Sequence, residues 1–215
     1  MRISNLDKFE KRLTMLATYG DETAAYLLNQ INSLLDQIEK FLLKNGIIMQ
    51  RRPEVFISYS HKDKKYFDEI NVYLKSLENN CGNSIPVWSD KKIAIGDDWY
   101  KKIRDHMNAA GVVILLVTQN FLNSDFICNH ELPQLLRDAE DEKALVIWVP
   151  AERSQVDDFF IEDENGRLYI AKYQAACDPK KPLNKLSETE RQDVYMDICD
   201  RIKNHFDRKE LAYTS

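Results

Sequence analysis

The sequence predicts an α/β protein with a central parallel sheet of five strands and helices on both faces, preceded by a short helical segment. Three observations carry this. From residue 54 onward, strand-sized apolar runs alternate with segments of helical periodicity. The longest runs, GVVILLV and ALVIWVP, are far short of the roughly 20 residues that cross a bilayer. Residues 1 to about 47 show helical spacing and no strand signal, and Arg51-Arg52-Pro53 reads as the junction between the two patterns.

In chain order, Leu6, Phe9, Leu13 and Leu16 are spaced three and four apart, as on one helical face. Tyr19-Gly20-Asp21 breaks the pattern, and Asp21 can cap a second helix on which Leu27, Ile31, Leu34, Ile38 and Phe41 form a short heptad seam. Such a helical pair can fold on itself, pack on the next domain or pair with another chain; self-association is the preferred expectation. Strands follow at EVFISY (54–59), IPVWS (85–89), GVVILLV (111–117), ALVIWV (144–149) and RLYIA (167–171). Between them lie the helical segments KKYFDEINVYLKSL, DDWYKKIRDHMNAA and SDFICNHELPQLLRDAEDE, and ETERQDVYMDICDRIKNHF closes the series. ENG at 164–166 suits a hairpin-like turn. The expected layout is a helical segment over 1–50, a sheet domain over 51–208 and a tail over 209–215.

Composition narrows the function classes. With 30 Lys and Arg against 35 Asp and Glu the net charge is −5, and no long basic run offers a footprint for nucleic acid or an anionic membrane. The N-terminus mixes charged and apolar residues where a signal peptide has an uninterrupted apolar stretch, so a cytoplasmic location is expected. Cys81, Cys128, Cys177 and Cys199 form no CxxC pair, which predicts reduced thiols and no structural metal. His130-Glu131 begins like HExxH, but Gln134 stands where the second ligand belongs. No GxGxxG or GxxxxGK follows a strand, which disfavours a dehydrogenase or nucleotide kinase.

In an open parallel sheet, ligands bind beyond the carboxyl ends of the strands, near a topological switch point. The first strand ends in Ser58-Tyr59-Ser60-His61, the second in Trp88-Ser89-Asp90, and the third leads into SDFICNHELPQLL, which carries Glu131. Ser124 can cap that helix, and Phe126, Ile127, Leu132, Leu135 and Leu136 can give it an apolar face. A glutamate there is solvated by default. The loop after the second strand, DKKIAIGDDW, puts Ile93 and Ile95 beside Gly96, and loop apolar residues of this kind suggest a contact surface.

These residues resemble the Toll/interleukin-1 receptor (TIR) domain, particularly its bacterial members. From about Glu54 to the C-terminal helix the matching motifs occur in order: the FISYS strand end, VWxD with its following loop, VVILLVT, an S-x-F-x-x-x-x-E-L helix start and a late KPL segment. The first 50 residues lie outside the resemblance. The resemblance implies a flavodoxin-like fold and, as in many bacterial, plant and some animal members, an enzyme that cleaves NAD+ at the nicotinamide–ribose bond. The family's catalytic glutamate maps onto Glu131. Lys91, Lys92, Ile93, Ala94, Ile95, Gly96 and Asp97 fall in the loop through which members assemble, often head to tail. NAD+ is then substrate, and no cofactor is expected.

A single carboxylate suits that chemistry. Ordinary glycosides need one acid to protonate the leaving oxygen and a second carboxylate to support the oxocarbenium-like carbon or activate the nucleophile. Nicotinamide is already cationic in NAD+ and leaves neutral, so one anion beside the ribose can stabilise the developing charge or hold the ribose hydroxyls. Ser58, Tyr59, His61, Trp88, Asp90, Asp98, Ile127 and Cys128 are the candidate substrate contacts. Several also have structural readings: Trp88 as a buried strand residue, Asp98 as a helix N-cap, His61 as an exposed loop residue and Cys128 as a half-buried small one. Many NAD-cleaving relatives carry Trp four residues before the glutamate; here Ile127 holds that place, and Phe126, one position earlier, is the aromatic that can stand in for it at a cost in direction. Adjacent α-helical residues point about 100° apart. This departure leaves the product open between ADP-ribose, a cyclic isomer and a base-exchange product.

The expected role is an NAD+ glycohydrolase or cyclase in bacterial antiphage defence, active as a homo-oligomer and partnered by a neighbouring defence protein or sensor. The alternatives are a non-enzymatic TIR scaffold, in which Glu131 is a solvated or interface residue, and a host-directed effector that mimics eukaryotic adaptors.

Overall fold

A computed structural model describes residues 11–16, 18, 21–44, 52–80, 85–89 and 98–214. The chain divides into two compact units, Met1–Gln50 and Arg51–Ser215. In the first, residues 11–16 are helical and a second helix, α1, spans Glu22–Lys44. Asp21 caps α1, its Oδ1 accepting from the Ala24 N–H at 2.9 Å. Of the heptad seam, Leu27, Leu34, Ile38 and Phe41 are exposed.

The second unit is built on a parallel sheet of β1 (Glu54–Tyr59), β2 (Val87–Trp88), β3 (Ala110–Val117) and β4 (Leu145–Pro150), in the order β2-β1-β3-β4. Val55 and Phe56 pair with Val87 and Trp88, while Ile57, Ser58 and Tyr59 pair with Ile114, Leu115 and Leu116. Strand order reverses between β1 and β3, which makes their carboxyl ends the switch point. The period-2 alternation of β1 sends Val55, Ile57 and Tyr59 into one core cluster and Phe56 into the other. The first cluster is covered by α2 (Lys64–Asn80) and by the C-terminal helix; the second by α3 (Trp99–Ala109) and by α5 (Leu132–Glu140), which follows the four-residue α4 (Gln119–Leu122). β3 is buried along its whole length, as a central strand covered on both faces must be.

Local contacts hold the switch point together. A 3₁₀ turn, His61–Asp63, follows β1, and the buried Asp63 accepts from Thr118 Oγ1 at 2.5 Å and from Asn120 Nδ2 at 2.9 Å, tying the exits of β1 and β3. Thr118 also caps α4, accepting from the Phe121 N–H at 3.0 Å. The last helix, α6 (Glu188–Thr214), opens with a capping box in which Ser187 Oγ accepts from the Glu190 N–H and Glu190 accepts from the Ser187 N–H. It runs through most of the segment that the sequence set apart as a tail.

Among the described residues the sheet has four strands, one fewer than the five expected. Residues Gly166–Leu168 form β6, which pairs antiparallel with β5 (Ile161–Asp163) in a separate hairpin. The ENG turn closes it, with Gly166 at φ 123°, a conformation that favours glycine. Beside β4, a single parallel bridge between Trp148 and Ala175 occupies the place of a fifth strand. RLYIA is drawn out of the sheet because its first half pairs locally and Ile170 turns into a 3₁₀ helix. Among the described residues no helix is long and apolar enough to cross a membrane.

Candidate active site

Ser58 lies one residue before the end of β1, on the Phe56 face of the sheet, and so points towards the elements that follow β3. There its hydroxyl donates to Glu131 Oε2. Both side chains are out of solvent, Ser58 at 2% and Glu131 at 7% exposure. A mid-helix glutamate is usually solvated; this one is buried and held by the hydrogen bond from Ser58.

The backbone that carries Glu131 is not a regular α-helix. Residues Ile127–Glu131 form a π-turn, with the Leu132 N–H donating to the Ile127 carbonyl five residues back. Pro133 lies two residues beyond; it lacks an N–H, and its ring needs room beside the carbonyl one turn earlier, which a widened turn supplies. In a widened turn the residues four and five before Glu131, Ile127 and Phe126, both flank its side, and both line the same cavity.

Glu131 opens on a cavity of about 340 Å³ at the switch point. Ser58, Tyr59, His61, Trp88 and Ile127, predicted from the sequence, line it with Glu131. Trp88 is buried and stacked between Phe56, with ring centroids 5.3 Å apart, and His106, at 4.4 Å. His106 Nδ1 lies 2.6 Å from Glu54 Oε2, which fixes the far end of the stack. Tyr59 faces the other core, stacked on Phe67 at 4.6 Å, and His61 is exposed at the rim.

Other predicted residues lie elsewhere. Asp98 caps α3, accepting from the Lys101 N–H at 3.1 Å, and is outside the described lining. Cys128 is also outside it, with Sγ 3.2 Å from the Leu122 carbonyl oxygen. Burial, and secondarily Asp125, pushes its thiol up, away from the thiolate a nucleophile needs. Asp90 and the loop Lys91 to Asp97 lie outside the described residues. Among the described residues no three His, Cys, Asp or Glu side chains converge as a metal site.

The lining also contains Phe126, the aromatic weighed beside Ile127, and Trp99, Ile103 and Ser124, which sequence reasoning did not place among the substrate contacts. The signal for the π-turn was Pro133, a helix-breaking residue inside an otherwise helical pattern.

A family model described as "TIR domain" matches residues 55–186, more than half of the chain. An uncharacterized protein of Sinorhizobium fredii, y4lF, is 33% identical over 95 residues, which are 44% of this chain and 29% of that protein. The chain therefore spans less than a third of this relative's length. No solved structure matches. The parallel sheet with its switch-point cavity and the extent of the family match agree, and the chain belongs to the TIR domain family.

Proposed function

We propose that this TIR domain cleaves the nicotinamide–ribose bond of NAD+, with Glu131 as the catalytic residue. The observation that carries the reading is a buried carboxylate, gripped by Ser58, facing an aromatic-lined cavity at the switch point. The cavity's size is at the lower end of the roughly 300–1,000 Å³ typical of small-molecule sites and suits the nicotinamide-riboside end of the substrate.

As the C–N bond breaks, its electron pair goes to the nicotinamide nitrogen, which becomes neutral and needs no proton. Positive charge develops on the ribose carbon. A carboxylate in a site that excludes water stabilises that charge more than it would in bulk solvent. Water then adds to the carbon and loses a proton, giving ADP-ribose; attack by a nucleophile within the same molecule gives a cyclic isomer instead. The physiological setting we infer is bacterial antiphage immunity, with activity switched on by self-assembly or by a neighbouring defence protein.

The test is chromatography and mass spectrometry after incubating concentrated wild-type protein and Glu131→Gln with NAD+, with a mass measurement on each sample. Nicotinamide release by the wild type alone supports the reading. The second reading, a scaffold without catalysis, is favoured by the exposed apolar residues of α1, which suit pairing with another chain. Wild-type protein shown to be assembled yet releasing no nicotinamide would establish the scaffold over the enzyme.

A further inference from the structure

We infer that Lys62, at the mouth of the cavity, holds the diphosphate of the dinucleotide and so makes the substrate enter nicotinamide end first. The inference rests on the NAD+-cleaving reading and names the residue that grips the part of the substrate left outside the cavity.

Charge is sparse in the cavity lining. Among the described lining residues Glu131 is the one carboxylate and Lys62 the one Lys or Arg. Glu131 is buried, whereas Lys62 and its neighbour His61 are exposed, so the negative charge lies inside and the positive charge at the rim. A cavity of about 340 Å³ takes up the nicotinamide-riboside end, and the diphosphate that follows must therefore lie at the mouth.

The lysines that follow β1 are not alike. Lys64 is paired with Asp68 at 2.5 Å and Lys65 with Glu152 at 3.3 Å. Lys62 has no carboxylate partner among the described residues, and it is the one that lines the cavity. The turn that carries it is fixed from beneath. Asp63, the next residue, is 3% exposed, accepts from Thr118 and Asn120, and donates its N–H to the Ser60 carbonyl at 2.7 Å. The backbone at Lys62 is thus set before a ligand arrives, and only the side chain has to be ordered on binding.

NAD+ is itself polar along its length, with a cationic base at one end and an anionic diphosphate in the middle. A carboxylate inside and an ammonium at the mouth match that order. Adenine is neutral and gains nothing from Glu131, so entry by the adenine end satisfies only one of the two charges. The diphosphate also survives cleavage of the bond to the base. Lys62 therefore keeps hold of the ADP-ribosyl fragment while a nucleophile reaches the ribose carbon.

The test measures KM and kcat for NAD+ at low and high salt in wild type, Lys62→Gln, Lys62→Glu and Lys62→Arg. Inhibition is measured with two probes: ADP-ribose, which has the diphosphate and no base, and nicotinamide, which has the base and no phosphate. Lys62→Gln is expected to raise the KM for NAD+ and the inhibition constant of ADP-ribose together by about 3- to 10-fold, the loss of an exposed charge-assisted contact, with little change in kcat. Lys62→Glu should cost more, Lys62→Arg little, and nicotinamide inhibition should keep its wild-type strength throughout. Salt should raise the KM of the wild type towards that of Lys62→Gln, because an exposed charge is screened. The side chain is exposed, so its replacement leaves the core untouched. Wild-type KM values in both Lys62→Gln and Lys62→Glu, or nicotinamide weakened along with ADP-ribose, would overturn the proposal and leave the NAD+-cleaving reading in place. A wild type that releases no nicotinamide removes the reading and the proposal with it.

Discussion

Ser58→Ala separates a carboxylate that happens to be buried from one that is aimed. The hydroxyl donates to Glu131 Oε2 from a position that is itself only 2% exposed, so no bulk water stands ready to replace it. A hydrogen bond to a charged group contributes about 1.5–3 kcal/mol, which corresponds to roughly 10- to 100-fold in rate if the bond is needed in the transition state. A misplacement of about 1 Å costs a similar factor, about 100-fold. Ser58→Ala is therefore expected to lower kcat for nicotinamide release by about 10- to 100-fold, with little change in KM. In the Glu131→Gln background the same substitution should cost almost nothing further, because the hydroxyl acts only through the carboxylate. Nicotinamide is measured by chromatography, and circular dichroism checks that each variant is folded. Wild-type kcat in Ser58→Ala, or two losses that multiply in the double variant, would refute the idea that Ser58 positions Glu131.

Arg52→Met leaves Asp138, buried at 7% exposure, without a partner at 2.7 Å; Lys143 remains 3.8 Å away, so the cost should fall at the low end of the roughly 3–5 kcal/mol for breaking a buried pair, a Tm loss of about 6–12 °C. Gly111→Ala would place a Cβ 2.1 Å from the Arg52 carbonyl oxygen and is expected to destabilise by about 1–3 kcal/mol or more, read by denaturant unfolding. Because both changes act at Arg52, their effects should not add. Lys181 and the Ser187 hydrogen bonds hold Glu190 down to about 2, so its contribution to α6 is complete above its ordinary value of 4.5 and fades as pH falls towards about 2; Glu190→Ala should flatten the acid limb of thermal stability across that interval. Ile38→Glu on the exposed face of α1 should change stability by less than about 0.5 kcal/mol while lowering the molecular mass in solution; an unchanged mass would rule out that face as the seam.

The legible part of the fold was the part governed by burial. β1 was read at 54–59 and found there, β3 begins one residue earlier than expected and β4 is shifted by one residue, because continuous apolar runs allow one location for a covered strand. RLYIA failed for the complementary reason. Its alternation is equally consistent with a sheet strand and with one arm of a hairpin, and the ENG turn supplied a partner three residues away before the sheet edge could. Helix caps were legible too: Asp21 and Asp98 do what their residue type and position prescribe.

Glu131 and Ile127, both singled out in the sequence, line the cavity, but the backbone that carries them is not the regular α-helix the pattern suggested, and one residue explains the difference. Reading residues 124–142 as uninterrupted α-helix set Ile127 beside Glu131 and turned Phe126 aside. Pro133 was the contrary signal, since a proline in a helix interior removes a donor and crowds the carbonyl behind it, and the chain relieves both by widening the preceding turn. A widened turn is less favourable than a regular one unless something else stabilises it, and here Leu132, Leu135 and Leu136 anchor the downstream helix in the core whatever its upstream register. Periodicity averages over many residues and is blind to a single widened turn, which is why a pattern that located the core did not show the backbone on which Glu131 sits.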